Sequence, residues 1–389
     1  MRIASVSGEA SVPFQEVSVV SQRREFIELA KQEGANRRQL CRRFTIARST
    51  GYKWLGRDGA APGAEPVDRS RRPHHSPGRT APAMEAKVVA LRRQHPCWGG
   101  RKLHHRLVAL SESGVPSAST ITEILRRHGL LEAAESARHA PSQRFEREEP
   151  NELWQMDFKG HIPLAAGRCH PLTVLDDHSR YALTVAACAD ELGATVERVL
   201  SEVFRRYGLP ERMLMDNGAP WGNAEAPHAW TCFSVWLLRL GVAVSHGRPY
   251  HPQTQGKDER FHRTLLAEAI GARHFHGLEQ CQRAFEAWRH VYNHERPHEA
   301  LHHATPASRY RLSPREFPER LPAIEYAPDL AVRRVQKGGW FGFAGRQWHI
   351  AKSFAGQPVA LRPTRHDGCY EVLFCQHRIA AIDLNETAP

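Results

Sequence analysis

No two of the eight cysteines are spaced C-x-x-C, which removes the usual frame of a zinc knuckle or a small disulfide scaffold. No structural zinc is predicted despite 24 histidines, and a reducing, cytoplasmic setting is the default. No run approaches ~18 apolar residues, so no membrane-spanning helix is expected. The opening MRIASVSGEASVPF has one early Arg and no continuous apolar stretch, and predicts no secretory leader. Acid is the scarcer charge, with 42 Asp+Glu against 54 Lys+Arg and a net charge of +12. That surplus suits a polyanionic partner, nucleic acid above all, although a merely basic soluble protein has the same balance. With 389 residues, 41% of them hydrophobic, the chain can bury cores for about two to four domains.

Helical signals dominate the first third. REFIELAKQEG is amphipathic and stops at Gly34; Asn36 can cap NRRQLCRRF, with Gln39 three residues on; ARSTGYKWLGR follows a tight turn. A helix, a turn and a short basic third helix predict a helix-turn-helix over residues 1–57, with Arg48, Ser49, Thr50 and Lys53 facing DNA; an ordinary three-helix bundle has the same outline. Residues 58–83, rich in Pro, Gly and Arg, read as a flexible linker. Residues 84–131 repeat the theme in MEAKVVALRRQHP, HPCWGGRKLHHRLVAL and VPSASTITEILRRHGL, the last stopped by Gly129. Ser117, Ser119 and Thr120 take the recognition position of this second helix-turn-helix, and residues 132–150 form a second linker.

From residue 151 the period changes to two. In LWQMDFKG, Trp154, Met156 and Phe158 share one face and Gln155, Asp157 and Lys159 the other. HPLTVLDDHSRYALTVAA reads as two strands around the turn DDHSR, with Asp176 and Asp177 as turn acids. Helices and strands then alternate through ATVERVLSEVFRRYG, RMLMDNG, SVWLLRLGV, VAVSHG, a long helix from about residue 256 to 270 and AFEAWRHVYN. This predicts an α/β core with a mixed sheet over residues 151–315. Short strands between Gly, Pro and Asp turns predict a small β-barrel over residues 328–385.

Three acids stand out by context. Asp157 sits mid-strand, where a charge is costly unless paired or metal-bound. Asp216 closes the strand MLMD, and strand ends are where α/β sites gather. Glu259 opens the helix in HPQTQGKDERFHRTL. Carboxylates from two strands and a helix suit one or two Mg²⁺ ions, which take oxygen ligands and can clamp a phosphoryl displacement. Helical spacing separates the two adjacent acids. Asp258, Phe261 and Leu265 fall on the face that packs on the sheet; Glu259, His262 and Arg263 fall on an adjoining polar face. Glu259 is therefore the expected ligand, and Asp258 an acid that supports the helix N-terminus.

WQMDFKG, LDDHSRY, MDNG, HPQTQGKDERFHRTL and YNHERPHEAL, in that order, resemble the transposases of bacterial insertion sequences with a retroviral-integrase-type core. The resemblance extends to the helical front and to the tail after TPASRYR. It implies an RNase H-like fold and a D-D-E triad of Asp157, Asp216 and Glu259 that binds Mg²⁺, with Mn²⁺ as a substitute, through two ions. It also implies cleavage at an element's ends followed by attack of the freed 3′-hydroxyls on a phosphodiester, without ATP. Gln253 and Gln255 would lie against DNA near the site, with Lys257, Arg260 and Arg263 as basic contacts. Double-stranded DNA, both element ends and target, would be the partner of a dimer or larger homo-oligomer in a bacterial, nucleoid-associated location. The sequence departs from the family pattern at Leu266, where many relatives carry Lys or Arg. A nuclease that cuts without joining and a non-catalytic DNA-binding relic acting as a repressor are the competing readings.

Overall fold

The computed structural model describes residues 18–70, 78–131, 146–222, 230–247, 256–271 and 273–386. The residues read for a leader, parts of both linkers, and the expected DNA contacts Gln253 and Gln255 lie outside that set. The chain divides into two units, Met1–Arg79 and Thr80–Pro389.

The first unit holds α1 (Val19–Lys31), α2 (Arg37–Arg43) and α3 (Arg48–Ala60). α1 begins earlier than its amphipathic stretch suggests, because the Ser18 hydroxyl caps it by accepting from the Ser21 amide at 3.0 Å. Asn36 caps α2 as expected, accepting from the Gln39 amide at 3.1 Å. Phe26, Ile27, Ala30, Cys41 and Trp54 form the core. The Arg23 and Arg57 guanidiniums lie 4.2 and 4.7 Å from the Trp54 ring centroid.

The second unit opens with α4 (Pro82–Gln94), α5 (Gly100–Ala109) and α6 (Ala118–Arg127). Gly100 lets α5 approach α6: a Cβ there would lie 2.5 Å from the Ala118 carbonyl oxygen. These helices share a core of Val88, Trp98, Leu103, Ile121, Ile124 and their neighbours. α5 also meets the α/β layer that follows, through Arg101–Glu299 at 3.2 Å, Arg106–Glu295 at 2.5 Å and a His105–His303 ring stack at 3.9 Å.

Next come β1 (Trp154–Phe158), β2 (Ile162–Pro163), β3 (Arg168–Asp176), β4 (Ala182–Cys188), α7 (Gly193–Tyr207), β5 (Arg212–Met215), α8 (Cys232–Arg239), β6 (Ala243–His246), α9 (Gly256–Leu265) and α10 (Leu278–His294). β4, β3 and β1 pair antiparallel, β1, β5 and β6 pair parallel, and β2 extends β3. This is the mixed sheet the alternation predicts. Trp154 and Met156 enter an apolar cluster with α7 and α8; the opposite face is covered by Phe261 and Leu265 of α9 and Phe285, Trp288 and Tyr292 of α10. α9 runs on into a π-helical turn, Leu266–Ile270, whose Glu268 accepts from the Trp288 indole and the Arg296 guanidinium, both at 3.0 Å.

His298 follows α10, buried and edge-on to Tyr292 with ring centroids 4.6 Å apart. Burial, then the Arg296 charge, hold its imidazole well below the ordinary value. The unfolded chain therefore binds a proton there that the fold refuses, so stability is lost as pH falls below about 6.5. Replacing His298 with Leu is expected to flatten the wild-type acid slope by about 1.4 kcal/mol per pH unit below that value. Urea unfolding at several pH values checks this; parallel slopes for the two proteins would contradict it.

The tail corrects one expectation. β7 (Ala331–Arg334), β10 (Pro358–Pro363), β11 (Cys369–Phe374) and β12 (His377–Asp383) form an open four-stranded sheet, while β8 (Trp340–Phe343) and β9 (Arg346–His349) pair only with each other. The result is two sheets around one core, not a closed barrel. The hairpin leaves at Gly339, which has φ 84°, and a Cβ there would lie 2.5 Å from the Ala351 carbonyl carbon. The common core includes Phe341, Phe354, Phe374 and Val235 and Leu238 of α8.

Candidate active site

β1 and β5 run parallel with Trp154 opposite Met213 and Gln155 opposite Leu214. Continuing that register brings Asp157 level with Asp216. Their charges interact: burial, then the negative charge of Asp216, push the Asp157 carboxyl up to about 7. Asp216 is held by its own turn. Its Oδ1 accepts from the Gly218 amide at 2.9 Å and from the Trp221 indole. The buried Trp221 ring stacks on Phe158 at 5.4 Å, which ties the second acid to the residue after the first. His246 donates through Nδ1 to the Asp216 carbonyl at 2.8 Å.

α9 supplies the other acidic pair. Asp258, Phe261 and Leu265 are buried, and Glu259, Arg260 and Arg263 are exposed, as the helical spacing predicts. Asp258 differs from its expected role. It is enclosed, and burial, then the charges of Asp157 and Asp177, raise its carboxyl well above the usual range. An acid driven toward its neutral form is a poor partner for a helix dipole.

His262 also departs from expectation, because it is buried rather than on the polar face. The Thr173 hydroxyl donates to the Asp157 carbonyl at 2.9 Å, so it must accept from His262 Nε2–H at 2.8 Å. Nδ1 is then a lone pair, 3.8 Å from Asp157 Oδ2. Burial pushes the imidazole down to about 4, so this contact is a polar one with neutral histidine and not an ion pair.

The structure brings Asp157 and Asp216 together on neighbouring strands and leaves Glu259 at the exposed start of α9. Among the described residues no three Asp, Glu, His or Cys side chains already converge on a metal position. Asp157 and Asp216 still fit a hard cation. They are oxygen donors, they repel each other, and Asp216 Oδ2 has no hydrogen bond among the described residues.

The expected DNA contacts divide. Arg48, Ser49 and Lys53 are exposed along α3, with Thr50 half-buried. Ser119 and Thr120 are exposed at the start of α6, but the Ser117 hydroxyl caps that helix by accepting from the Thr120 amide at 3.3 Å. Lys257 is a correction: its ammonium is paired with the buried carboxylate of Asp177, which takes it from any phosphate. Trp221, Thr173 and Asp177 were not singled out as site residues, since their relevance lies in contacts across the sheet.

Family models bear on this geometry at four places. The integrase core domain matches residues 147–252 and again 240–306, the C-terminal domain of IS481 family transposases matches 330–389, and a homeodomain-like domain matches 50–125. Together these matches support an insertion-sequence transposase with a retroviral-integrase-type core. The chain is an enzyme of the polynucleotidyl transferase type, acting in DNA transposition and integration. It is 26% identical over 251 residues to the insertion element IS407 uncharacterized 31.7 kDa protein of Burkholderia multivorans, covering 63% of this chain and 84% of that one. It is 29% identical over 235 residues to the insertion element IS476 uncharacterized 39.2 kDa protein of Xanthomonas euvesicatoria, covering 58% of this chain and 64% of that one, just under two thirds. Among solved structures it is similar to the catalytic core of BIV integrase, at 22% identity and TM-score 0.31, covering 41% of this chain and 92% of that one. No helix of the described residues is long and apolar enough to cross a membrane.

Proposed function

We propose that Asp157, Asp216 and Glu259 are the catalytic carboxylates of this transposase and that they hold Mg²⁺, as a pair of ions for which Mn²⁺ substitutes. The reading rests on one observation above all: two mutually repelling carboxylates stand side by side at the ends of parallel strands, with a third at the exposed, basic start of a neighbouring helix. Bound there, the metal supplies a Lewis acid for the phosphodiester and lowers the pKa of the attacking water or hydroxyl. The protein's own groups orient the reaction. Gly218 and Trp221 fix Oδ1 of Asp216, so Oδ2 is the oxygen available to a ligand. Thr173 and His262 set the face of Asp157 without adding a positive charge that would compete for it. Arg260 and Arg263, exposed on the helix of Glu259, bind the phosphates beside the scissile bond.

The two N-terminal helical groups act as tandem helix-turn-helix modules that recognise the element's terminal repeats. Arg48 and Lys53 contact phosphates from the first, with Ser49 and Thr50 facing the DNA beside them, and Ser119 and Thr120 read from the second. Two ends must be joined to one target, so the working form is a dimer or larger assembly on DNA, in the bacterial cytoplasm at the nucleoid. The test is strand transfer, with purified protein, pre-cut end DNA, a plasmid target, and Mg²⁺, Mn²⁺ or EDTA. Joined product in either metal and none in EDTA is expected. Cleavage without joining would favour a nuclease, and tight end binding without chemistry would favour a relic repressor.

A further inference from the structure

Asp177 was expected to be a turn acid, but the turn is closed by its neighbour. Asp176 Oδ1 accepts from the Ser179 amide and hydroxyl at 2.8 and 2.5 Å, and Oδ2 accepts from the Asn151 amide at 2.8 Å. Asp177 points elsewhere and is 1% exposed. Its Oδ1 accepts from Gln155 Nε2 at 2.5 Å and from the Lys257 ammonium, and its Oδ2 accepts from the Arg147 amide at 2.9 Å. Its own amide donates to the Leu153 carbonyl at 2.9 Å, and its carbonyl accepts from the Arg180 guanidinium. Arg180 reaches on to Glu146 at 3.3 Å, and Glu146 to Arg309 at 3.2 Å.

Two of these donors have meaningful positions. Gln155 lies two residues before Asp157, on the same face of β1. Lys257 lies two residues before Glu259, in the first turn of α9. One buried oxygen thus joins the strand of the first acid to the helix start of the third. Phe261 and Leu265 hold α9 further along by apolar contact, which is not directional. Charge-assisted hydrogen bonds are directional, and a site of this kind needs its side chains held to within about 0.5 Å.

We propose that Asp177 is a positioning residue, whose carboxylate, clamped between Lys257 and Gln155, sets where Glu259 stands relative to Asp157. This rests on the reading of Asp157, Asp216 and Glu259 as the metal-binding triad. Asp177 touches neither substrate nor metal; it acts through the helix start and the strand.

The experiment uses the full-length chain and the variants Asp177→Asn, Lys257→Met, both together, and Glu259→Gln. Four quantities are measured: the Mg²⁺ concentration for half-maximal strand transfer, direct Mn²⁺ binding by electron paramagnetic resonance, end-DNA affinity, and melting temperature. Each single variant is expected to raise the Mg²⁺ requirement and weaken Mn²⁺ binding about tenfold, the size usual for losing an outer partner of a metal ligand. The double variant is expected to be no worse than the more affected single one, because the two residues act as a unit. End-DNA affinity is expected to stay at the wild-type value. Lower melting with unchanged metal binding would overturn the proposal, since Asp177 would then only support the fold. If Asp177→Asn does not fold, Lys257→Met decides alone. Weaker end binding and a shallower salt slope in that variant, with normal Mn²⁺ binding, would make Lys257 a phosphate contact and overturn the clamp. Strand transfer by Glu259→Gln at the wild-type level would instead remove the triad reading beneath it.

Discussion

Replacing Asp157 or Asp216 with Asn, or Glu259 with Gln, is expected to lower strand transfer about a thousandfold while leaving end-DNA binding intact. A metal contributes several kcal/mol to a phosphoryl transition state, and each 1.36 kcal/mol is about a factor of ten in rate. Asn and Gln keep the shape and remove the charge that holds the metal. In Asp157 the change also removes a group that burial, and then repulsion from Asp216, raise to about 7. The companion variant is Asp258→Asn, expected to retain strand transfer, because Asp258 is enclosed beside Phe261 and Leu265 and already driven toward its neutral form. Single-turnover strand transfer with pre-cut ends separates these outcomes. An inactive Asp258→Asn beside an active Glu259→Gln would reverse the assignment of the two neighbours.

End binding is expected to fall about a thousandfold or more between 50 and 200 mM salt, the loss typical of a protein that neutralises roughly six or more phosphates. The net charge of +12 and the exposed cations of α3 supply the driving force. Arg48→Ala and Lys53→Ala are each expected to reduce the slope of log affinity against log salt by about one, with little change in preference among DNA sequences. Ser119 and Thr120, exposed at the start of α6, are the positions where substitution should change the preferred sequence instead. Fluorescence anisotropy with end and scrambled duplexes over a salt series measures both effects. A flat salt profile would remove the phosphate-contact reading, and equal affinity for the two duplexes would remove the tandem recognition reading.

Much of this protein follows from short-range spacing. Asn36 and Ser117 stand where helix caps belong, and they cap α2 and α6. The alternation of Trp154, Met156 and Phe158 against Gln155 and Asp157 sorts the two faces of β1, because successive side chains of a strand must point to opposite sides. The 3.6-residue period of α9 separates buried Asp258 from exposed Glu259 before any partner is known. Only the tertiary structure decided which distant groups meet. Asp157 lies beside Asp216 because β1 and β5 pair in one register. His262 turns inward because Thr173 on β3 offers it a hydroxyl, and Lys257 leaves the DNA-facing set because Asp177 lies buried within its reach. The tail stays two open sheets because the β8–β9 hairpin leaves the sheet at Gly339. These outcomes depend on pairings between residues far apart in the chain. Local periodicity decides which face a side chain takes, but it carries no information about what that face will meet.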